Sequence, residues 1–227
     1  MSIFNSLNNI LPFLGAVLGM GIGYKIRDKS SNGLKLILSF SGAFLLGVTI
    51  FHLMPEVFSK VNNKPGLWIV SGIILQILLE YLSQGTEHGH SHIKSNEYLP
   101  WVLFLSLCLH AFIEGLPLGH ESSLVWGIFI HKIPIGMVLF YMIWDTKSSK
   151  ILKITVLFIF AIMSPFGSIT LEYNDALQNY QTQITAIVIG MLLHIATTIL
   201  FESNQGHAFN IRKLFSILLA FLISYFI

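Results

Sequence analysis

Hydrophobic runs of membrane-spanning length follow one another along nearly the whole chain, with short polar turns between them. A helix needs about 20 apolar residues to cross roughly 30 Å of hydrocarbon. By this measure the pattern predicts eight spans, at about 4–24, 35–58, 67–83, 99–119, 123–145, 151–171, 182–202 and 211–227. We therefore expect an all-α, polytopic membrane protein with one transmembrane domain over residues 1–227 and no separate soluble domain.

The composition agrees with this pattern, because 54% of the residues are hydrophobic and only 11% are charged. A soluble domain of this length needs more charge on its surface. The net charge of +2 does not indicate a nucleic-acid partner. The high hydrophobic and low charged fractions instead predict that the chain is surrounded by a lipid bilayer. In the first run the basic residues follow the apolar stretch, which favours a span over a signal peptide.

The positive charges lie mainly in alternate loops. Ten of the 13 basic residues fall between spans 1 and 2, 3 and 4, 5 and 6, or 7 and 8, whereas Lys60 and Lys64 lie on the other side. Loops rich in Lys and Arg stay in the cytosol, so this distribution predicts both termini outside and an even number of spans. We expect a multi-pass protein of the cell membrane, with an organelle membrane as the alternative.

A histidine and a carboxylate share one helix face inside span 4. His110 and Glu114 are four residues apart, which places both side chains on the same side of a helix. Counted at 1.5 Å per residue, His110 lies roughly 16 Å inside span 4 and His131 about 12 Å inside span 5, from opposite sides of the membrane. The two motifs meet near the midplane, which predicts one shared site.

These residue types are suited to a metal ion. A lone histidine on an apolar face is more often a hydrogen-bonded core residue, but ionisable groups inside a membrane are costly and tend to mark functional sites. Two imidazoles and a carboxylate suit zinc and are acceptable to iron(II), manganese or cobalt. Pro117 and Pro134 follow the motifs, and we expect them to free the carbonyls of Ile113 and Ile130 and to break the helices near the site.

Further polar residues at helical spacing are candidates for a metal pathway. They are His52 and Glu56 near the outer end of span 2, Gln76 and Glu80 in span 3, and His194 and Glu202 in span 7. His52 and Glu56 form either an outer vestibule that gathers cations or an interface in contact with water. His194 is either a pathway residue or a hydrogen-bonded packing residue.

The loop at about 84–98 contains three histidines at alternate positions, His88, His90 and His92. This composition is typical of loose metal binding, although a solvated loop without function is the alternative. Elsewhere, Gly15, Gly19 and Gly23 recur at four-residue spacing and predict close helix packing. The single cysteine, Cys108, excludes an intramolecular disulfide and is interpreted as packing.

Together these motifs resemble the ZIP (Zrt- and Irt-like) family of divalent metal transporters. The residues that match are His110, Glu114 and Gly115 in span 4, His131, Pro134 and Gly136 in span 5, His52-Leu-Met-Pro-Glu56 in span 2, and the histidine loop. The resemblance implies eight spans with both termini outside, homodimerisation, and uptake of zinc or a similar ion by rocking of one helix bundle against another. The ion is then a substrate, and the protein has no cofactor and is not an enzyme.

The resemblance also implies a role for each candidate residue. His52 and Glu56 receive the ion, and His110, Glu114 and His131 hold it near the midplane. The remaining pathway residues are Gln76 and His194, and Glu80, Glu202 and the histidine loop take the ion at the cytosolic exit.

The chain departs from the family pattern beside the span 5 histidine. Many members form a two-metal centre, with a carboxylate or amide at the position of Lys132 and a glutamate at the position of Ile135. The Lys132 ammonium can stand where a second cation would and pair with Glu114. We therefore predict one transport site, and Ala111 after His110 agrees with the loss of the second.

Two other classes of protein remain as alternatives. An intramembrane zinc hydrolase also needs histidines and a carboxylate at the midplane, but the His-Glu-x-x-His run of zincin-type proteases does not occur in this sequence. A structural membrane protein with buried polar pairs explains each pair alone, but not their common depth. Ligand chemistry by itself does not rank zinc, iron, manganese and cadmium.

Overall fold

The computed structural model describes residues 3–26, 32–60, 64–83, 98–202 and 211–227. The helices are α1 (Ile3–Ile26), α2 (Asn32–Val48), α3 (Met54–Lys60), α4 (Pro65–Ser83), α5 (Trp101–Gly115), α6 (Ser122–Trp144), α7 (Lys150–Glu172), α8 (Asp175–Gln178), α9 (Gln181–Glu202) and α10 (Ile211–Tyr225). A π-helical turn, Thr49–Leu53, joins α2 to α3, and a 3-10 turn, Leu116–Gly119, follows α5. These residues contain no β-strand, which confirms the all-α prediction for the described part of the chain.

Seven helical stretches within the described residues are long and apolar enough to cross a membrane. They are Asn9–Ile26, Gly33–Lys60, Pro65–Ser83, Trp101–Gly119, Ser122–Trp144, Lys150–Glu172 and Gln181–Phe201. The eighth predicted span corresponds to α10, whose 15 residues reach about 22 Å, short of a full bilayer crossing. The multi-pass helical architecture is confirmed, whereas the eighth span and the outer position of the termini stay predictions.

The long helices pack as two groups. In the first helix group α1 packs on α6 and α7, and α5 packs on α7. In the second helix group α4 packs on α9, while α2 packs on both α9 and α10. The groups meet chiefly where α2 contacts α6 and where α4 contacts α5. The histidine and carboxylate motifs of α5 and α6 both belong to the first group.

Glycines let the helices within each group approach at backbone distance. A Cβ atom on Gly19 of α1 would lie 2.0 Å from the carbonyl oxygen of Ile133 in α6, which confirms the predicted packing role of that glycine. In the second group a Cβ on Gly190 would lie 1.9 Å from the Ile69 carbonyl oxygen. By contrast, a Cβ on Gly127 of α6 would meet side chains of α2, the nearest being Leu45 Cδ1 at 3.3 Å. Side chains rather than backbone therefore form this part of the seam between the groups.

The prolines disturb the helices less than predicted. α6 continues through Pro134 without ending. The α-helical part of span 4 does end at Gly115, but the Leu116 amide donates to the Ile113 carbonyl in the 3-10 turn that follows. The expectation that the Ile113 carbonyl is freed is therefore wrong, because the tighter turn supplies a donor one residue earlier.

Candidate metal centre

Three potential metal ligands from two membrane-spanning helices meet at one point. His110 and Glu114 of α5 and His131 of α6 each offer a ligand atom, and these atoms all lie within 4.8 Å of one another. The side chains are buried, with relative exposures of 3%, 0% and 1%. The helical spacing of the first two and the common depth of the third explain why the structure brings this predicted set together.

The two oxygens of Glu114 have different surroundings. Its Oε1 atom lies 2.5 Å from the Lys132 ammonium, and its Oε2 atom lies 3.3 Å from His110 Nε2. Within the described residues Oε2 accepts no hydrogen bond. A buried carboxylate oxygen beside an imidazole is a suitable place for a cation, because burying a charge without compensation is costly. Oε2 is therefore the oxygen directed toward the ligand set.

Lys132 occupies a fixed position beside this set. The residue is 2% exposed, and its Nζ atom lies 4.5 Å from the centroid of the Phe160 ring, in addition to its ion pair with Glu114. An ammonium over an aromatic face is stabilised by the ring quadrupole. Among the described residues, the positive charge predicted for this place thus pairs with a carboxylate from α5 and lies over an aromatic ring from α7.

The α7 helix forms the third side of the centre and was not assigned to it from the sequence. Ser164 donates to Glu114 Oε1 at 3.4 Å. A Cβ on Gly167 would lie 2.1 Å from the Phe112 carbonyl oxygen, so this glycine allows α7 to approach α5 closely. A serine and a glycine in an apolar span are not typical metal ligands, so no pattern in the sequence predicted that α7 takes part.

The second helix group contributes a hydrogen bond to the ligand set. Gln76 of α4 is fully buried, and the Nδ1–H group of His110 donates to its Oε1 atom at 3.0 Å. Gln76 was predicted as a pathway residue on the basis of its spacing from Glu80. The structure places it against the far side of the His110 ring from Glu114, because the other ring nitrogen faces the carboxylate.

One turn further along α4, Glu80 pairs with a residue of α9. Its Oε2 atom lies 3.3 Å from His194 Nδ1, and both side chains are about one-fifth exposed, at 22% and 20%. Thr198 donates to the His194 backbone carbonyl at 2.8 Å, so its hydroxyl is engaged within α9. Glu202 ends α9, and its side chain, like the predicted loop histidines His88, His90 and His92, lies outside the described residues.

At the predicted outer end, His52 and Glu56 have different partners. The Nε2–H group of His52 donates to the Ser224 carbonyl of α10 at 2.7 Å, whereas Glu56 pairs with Lys60. Spacing of four residues implies a shared face only in an α-helix, and His52 lies in the π-helical turn, which has more residues per turn. His52 is thus held by α10, and Glu56 is the better candidate for a cation-gathering residue in the predicted vestibule.

A carboxyl group that sequence reasoning missed lies beside Glu56. Glu121 immediately precedes α6, is 6% exposed and shares a hydrogen bond with Glu56. Burial, together with the neighbouring Glu56, raises the pKa of Glu121 to about 8. A single acidic residue between two spans gives no periodic signal, so only the fold identifies this pair.

Comparison with known proteins places the chain in a family. The family model described as ZIP Zinc transporter matches residues 81–227, well over half of the chain. The chain belongs to the ZIP zinc transporter family. This match includes α5, α6 and α9, and hence all three ligands of the candidate centre.

Three relatives show how far the similarity extends. Protein zntD of Dictyostelium discoideum is 34% identical over 38% of this chain and 15% of its own length. The zinc transporter ZIP13 homolog of Drosophila melanogaster is 30% identical over 46% of this chain and 31% of its own length. Zinc transporter ZIP13 of Pongo abelii is 25% identical over 59% and 46%. The chain thus spans less than half the length of each of these relatives.

Proposed function

We propose that this protein moves a divalent metal ion, zinc foremost, across the membrane toward the cytosol through the site of His110, Glu114 and His131. The observation that supports this most strongly is the convergence of three buried ligand atoms within 4.8 Å inside two membrane-spanning helices. Two imidazole nitrogens and a carboxylate oxygen form a set that zinc accepts. Three ligands leave a coordination position open, so the ion can exchange during transport. Zinc is in this proposal a substrate and not a cofactor.

The proposed path enters at Glu56 and His52 and leaves past Glu80 and His194. Glu56 and the adjoining Glu121 provide carboxyl groups at the end of the bundle that the predicted topology places outside. On the cytosolic side the Glu80–His194 pair is the next set of nitrogen and oxygen donors along α4. Glu202 and the histidine loop remain the proposed exit.

Lys132 limits the proposed centre to one divalent ion. Its ammonium lies 2.5 Å from Glu114 Oε1, and a second metal ion bridged by this carboxylate would have to occupy the same space. The like charge would also repel that ion. On the other side of the carboxylate, Oε2 and the imidazoles of His110 and His131 can bind one ion. Homodimerisation is a separate expectation from the family and stays a prediction.

The hydrolase alternative has less support. A zinc hydrolase needs a carboxylate that is free to act as general base toward a metal-bound water. Here the buried Glu114 carboxylate is paired through one oxygen with Lys132 and faces His110 through the other. Membership of a transporter family also favours transport over catalysis.

The test is uptake of radioactive zinc into proteoliposomes that contain the native protein, His110→Ala or Glu114→Ala. We expect saturable uptake in the native protein and none in either variant. His120→Ala is a matched control, because this histidine is exposed and outside the ligand set, and it should transport normally. Competition with iron, manganese and cadmium ranks the ions. A folded, inserted native protein that moves none of them would refute the proposal.

A further inference from the structure

The hydrogen bond between Gln76 and His110 joins the two helix groups at the metal centre. Gln76 belongs to α4, which packs mainly on α9, while His110 belongs to α5, which packs mainly on α7. Ser106 of α5 also donates to the Leu79 carbonyl of α4 at 2.7 Å, so the contact has a second anchor on the same pair of helices. A polar contact at this seam therefore reaches directly to a ligand.

This hydrogen bond determines which nitrogen of His110 is available to a metal. Because Gln76 Oε1 accepts the proton on Nδ1 at 3.0 Å, a neutral ring has its lone pair on Nε2. Nε2 is the nitrogen 3.3 Å from Glu114 Oε2, on the side of the ligand set. The opposite tautomer would direct a proton at the ligand set and a lone pair at the amide oxygen. Hydrogen-bond partners of this kind fix the tautomer and orientation of metal-binding histidines.

We propose that Gln76 is a positioning residue for His110, and not itself a ligand of the ion. Its amide oxygen holds the imidazole in the Nδ1–H tautomer with Nε2 toward Glu114 and His131. Since Gln76 lies on the second helix group, the orientation of His110 depends on the relative position of the groups. A shift by one helical turn, about 5.4 Å, would break a bond of 3.0 Å. This inference rests on the proposed function, because it concerns the affinity of the same site.

The experiment compares two substitutions of Gln76 in the purified protein. Gln76→Leu removes the acceptor at similar volume, whereas Gln76→Glu keeps an oxygen that accepts from Nδ1–H. Zinc affinity is measured by competition with a chromophoric chelator, and cobalt(II) absorption reports the geometry of the bound ion. We expect Gln76→Leu to lower zinc affinity by about 10- to 100-fold, with a changed cobalt spectrum, and Gln76→Glu to restore both. Ser71→Ala, on the exposed face of the same helix, is the matched control and should bind like the native protein.

The position of the proton on the His110 ring tests the positioning role without any bound metal. Nitrogen-15 spectra of histidine-labelled protein without metal provide an independent readout, with the His110 signal assigned through His110→Gln. A proton on Nδ1 is expected in the native protein, and a ring that carries its only proton on Nε2 would contradict the proposal.

The outcomes also distinguish this inference from the proposed function. Native zinc affinity in Gln76→Leu, or a loss that Gln76→Glu does not restore, would refute the positioning role while leaving zinc uptake intact as evidence of transport. Absence of zinc binding and uptake in the native protein would instead refute the transport site. The metal-free spectra would then still report whether the hydrogen bond selects the tautomer.

Discussion

Replacement of Lys132 by methionine removes the cation that faces Glu114 while keeping a side chain of similar length. At 2.5 Å and an effective dielectric constant of about 20, the attraction between the two charges is about 7 kcal/mol. Part of this is offset by the cost of removing the ammonium from water. Breaking a buried ion pair by deleting one partner costs about 3–5 kcal/mol, because the remaining charge is uncompensated. We expect a loss of stability of this size in Lys132→Met without metal.

Zinc should reverse much of that loss, because the ion supplies the missing positive charge. A ligand at 100 times its Kd stabilises a folded protein by about 2.7 kcal/mol. Thermal unfolding in detergent, followed by intrinsic fluorescence, should therefore show a larger zinc-dependent rise in Tm for Lys132→Met than for the native protein. Equal Tm values without zinc, or equal shifts with it, would refute the idea that Lys132 stands in for a cation.

Two further variants control this experiment. Lys150→Met changes an exposed lysine at the start of α7 and should alter stability by no more than about 0.5 kcal/mol. The double variant Lys132→Met with Glu114→Gln leaves no unpaired buried charge, so we expect it to be more stable than Lys132→Met alone. A double variant that is less stable than Lys132→Met would show that packing, and not charge, causes the loss.

Three other changes test neighbouring parts of the structure. Between pH 4.5 and about 8 the Glu121 carboxyl, beside Glu56 and Lys60, is protonated in the folded protein and ionised in the unfolded chain. The free energy of unfolding should fall as pH rises across this window, and a pH series of unfolding should show a shallower slope in Glu121→Gln. Gly167→Ala should separate α7 from α5, lower stability by about 1–3 kcal/mol and weaken zinc binding, whereas Gly66→Ala, with open space around it, should do neither. His52→Ala should loosen α10 by about 1 kcal/mol, visible as faster proteolysis near the C-terminus, and a selective loss of zinc uptake without that loosening would instead support an entrance role.

The candidate centre could be predicted from the sequence as far as the ligands and no further. His110 and Glu114 share a face because of the helical repeat, and His131 reaches the same depth because both spans cross a layer of fixed thickness. The residues that surround these ligands depend instead on which helices pack together. Ser164 and Phe160 surround Glu114 and Lys132 because α7 packs on α5, and no periodicity in the sequence states which helices are neighbours.

Two other positions show the same limit. Gln76 and Glu80 lie four residues apart on one face of α4, yet Gln76 contacts α5 and Glu80 contacts α9, because α4 lies between these helices. His52 and Glu56 have the same spacing, but the π-helical turn changes the register between them.

The sequence by itself determined the features that depend on a local repeat and on the solvent. Hydrocarbon requires long apolar helices with internally satisfied backbones, so the run lengths predict the crossing helices and the depth of each polar side chain along them. Tertiary structure alone decided which helix meets which. Glycines allow backbone contact within each group, and side chains of α2 and α6 separate the groups at the seam. Glu56 lies on α3, which packs on α9, and it pairs with Glu121 at the start of α6. The Gln76–His110 hydrogen bond joins α4 to α5. Both contacts run between the two helix groups, so they form only when the bundle is packed.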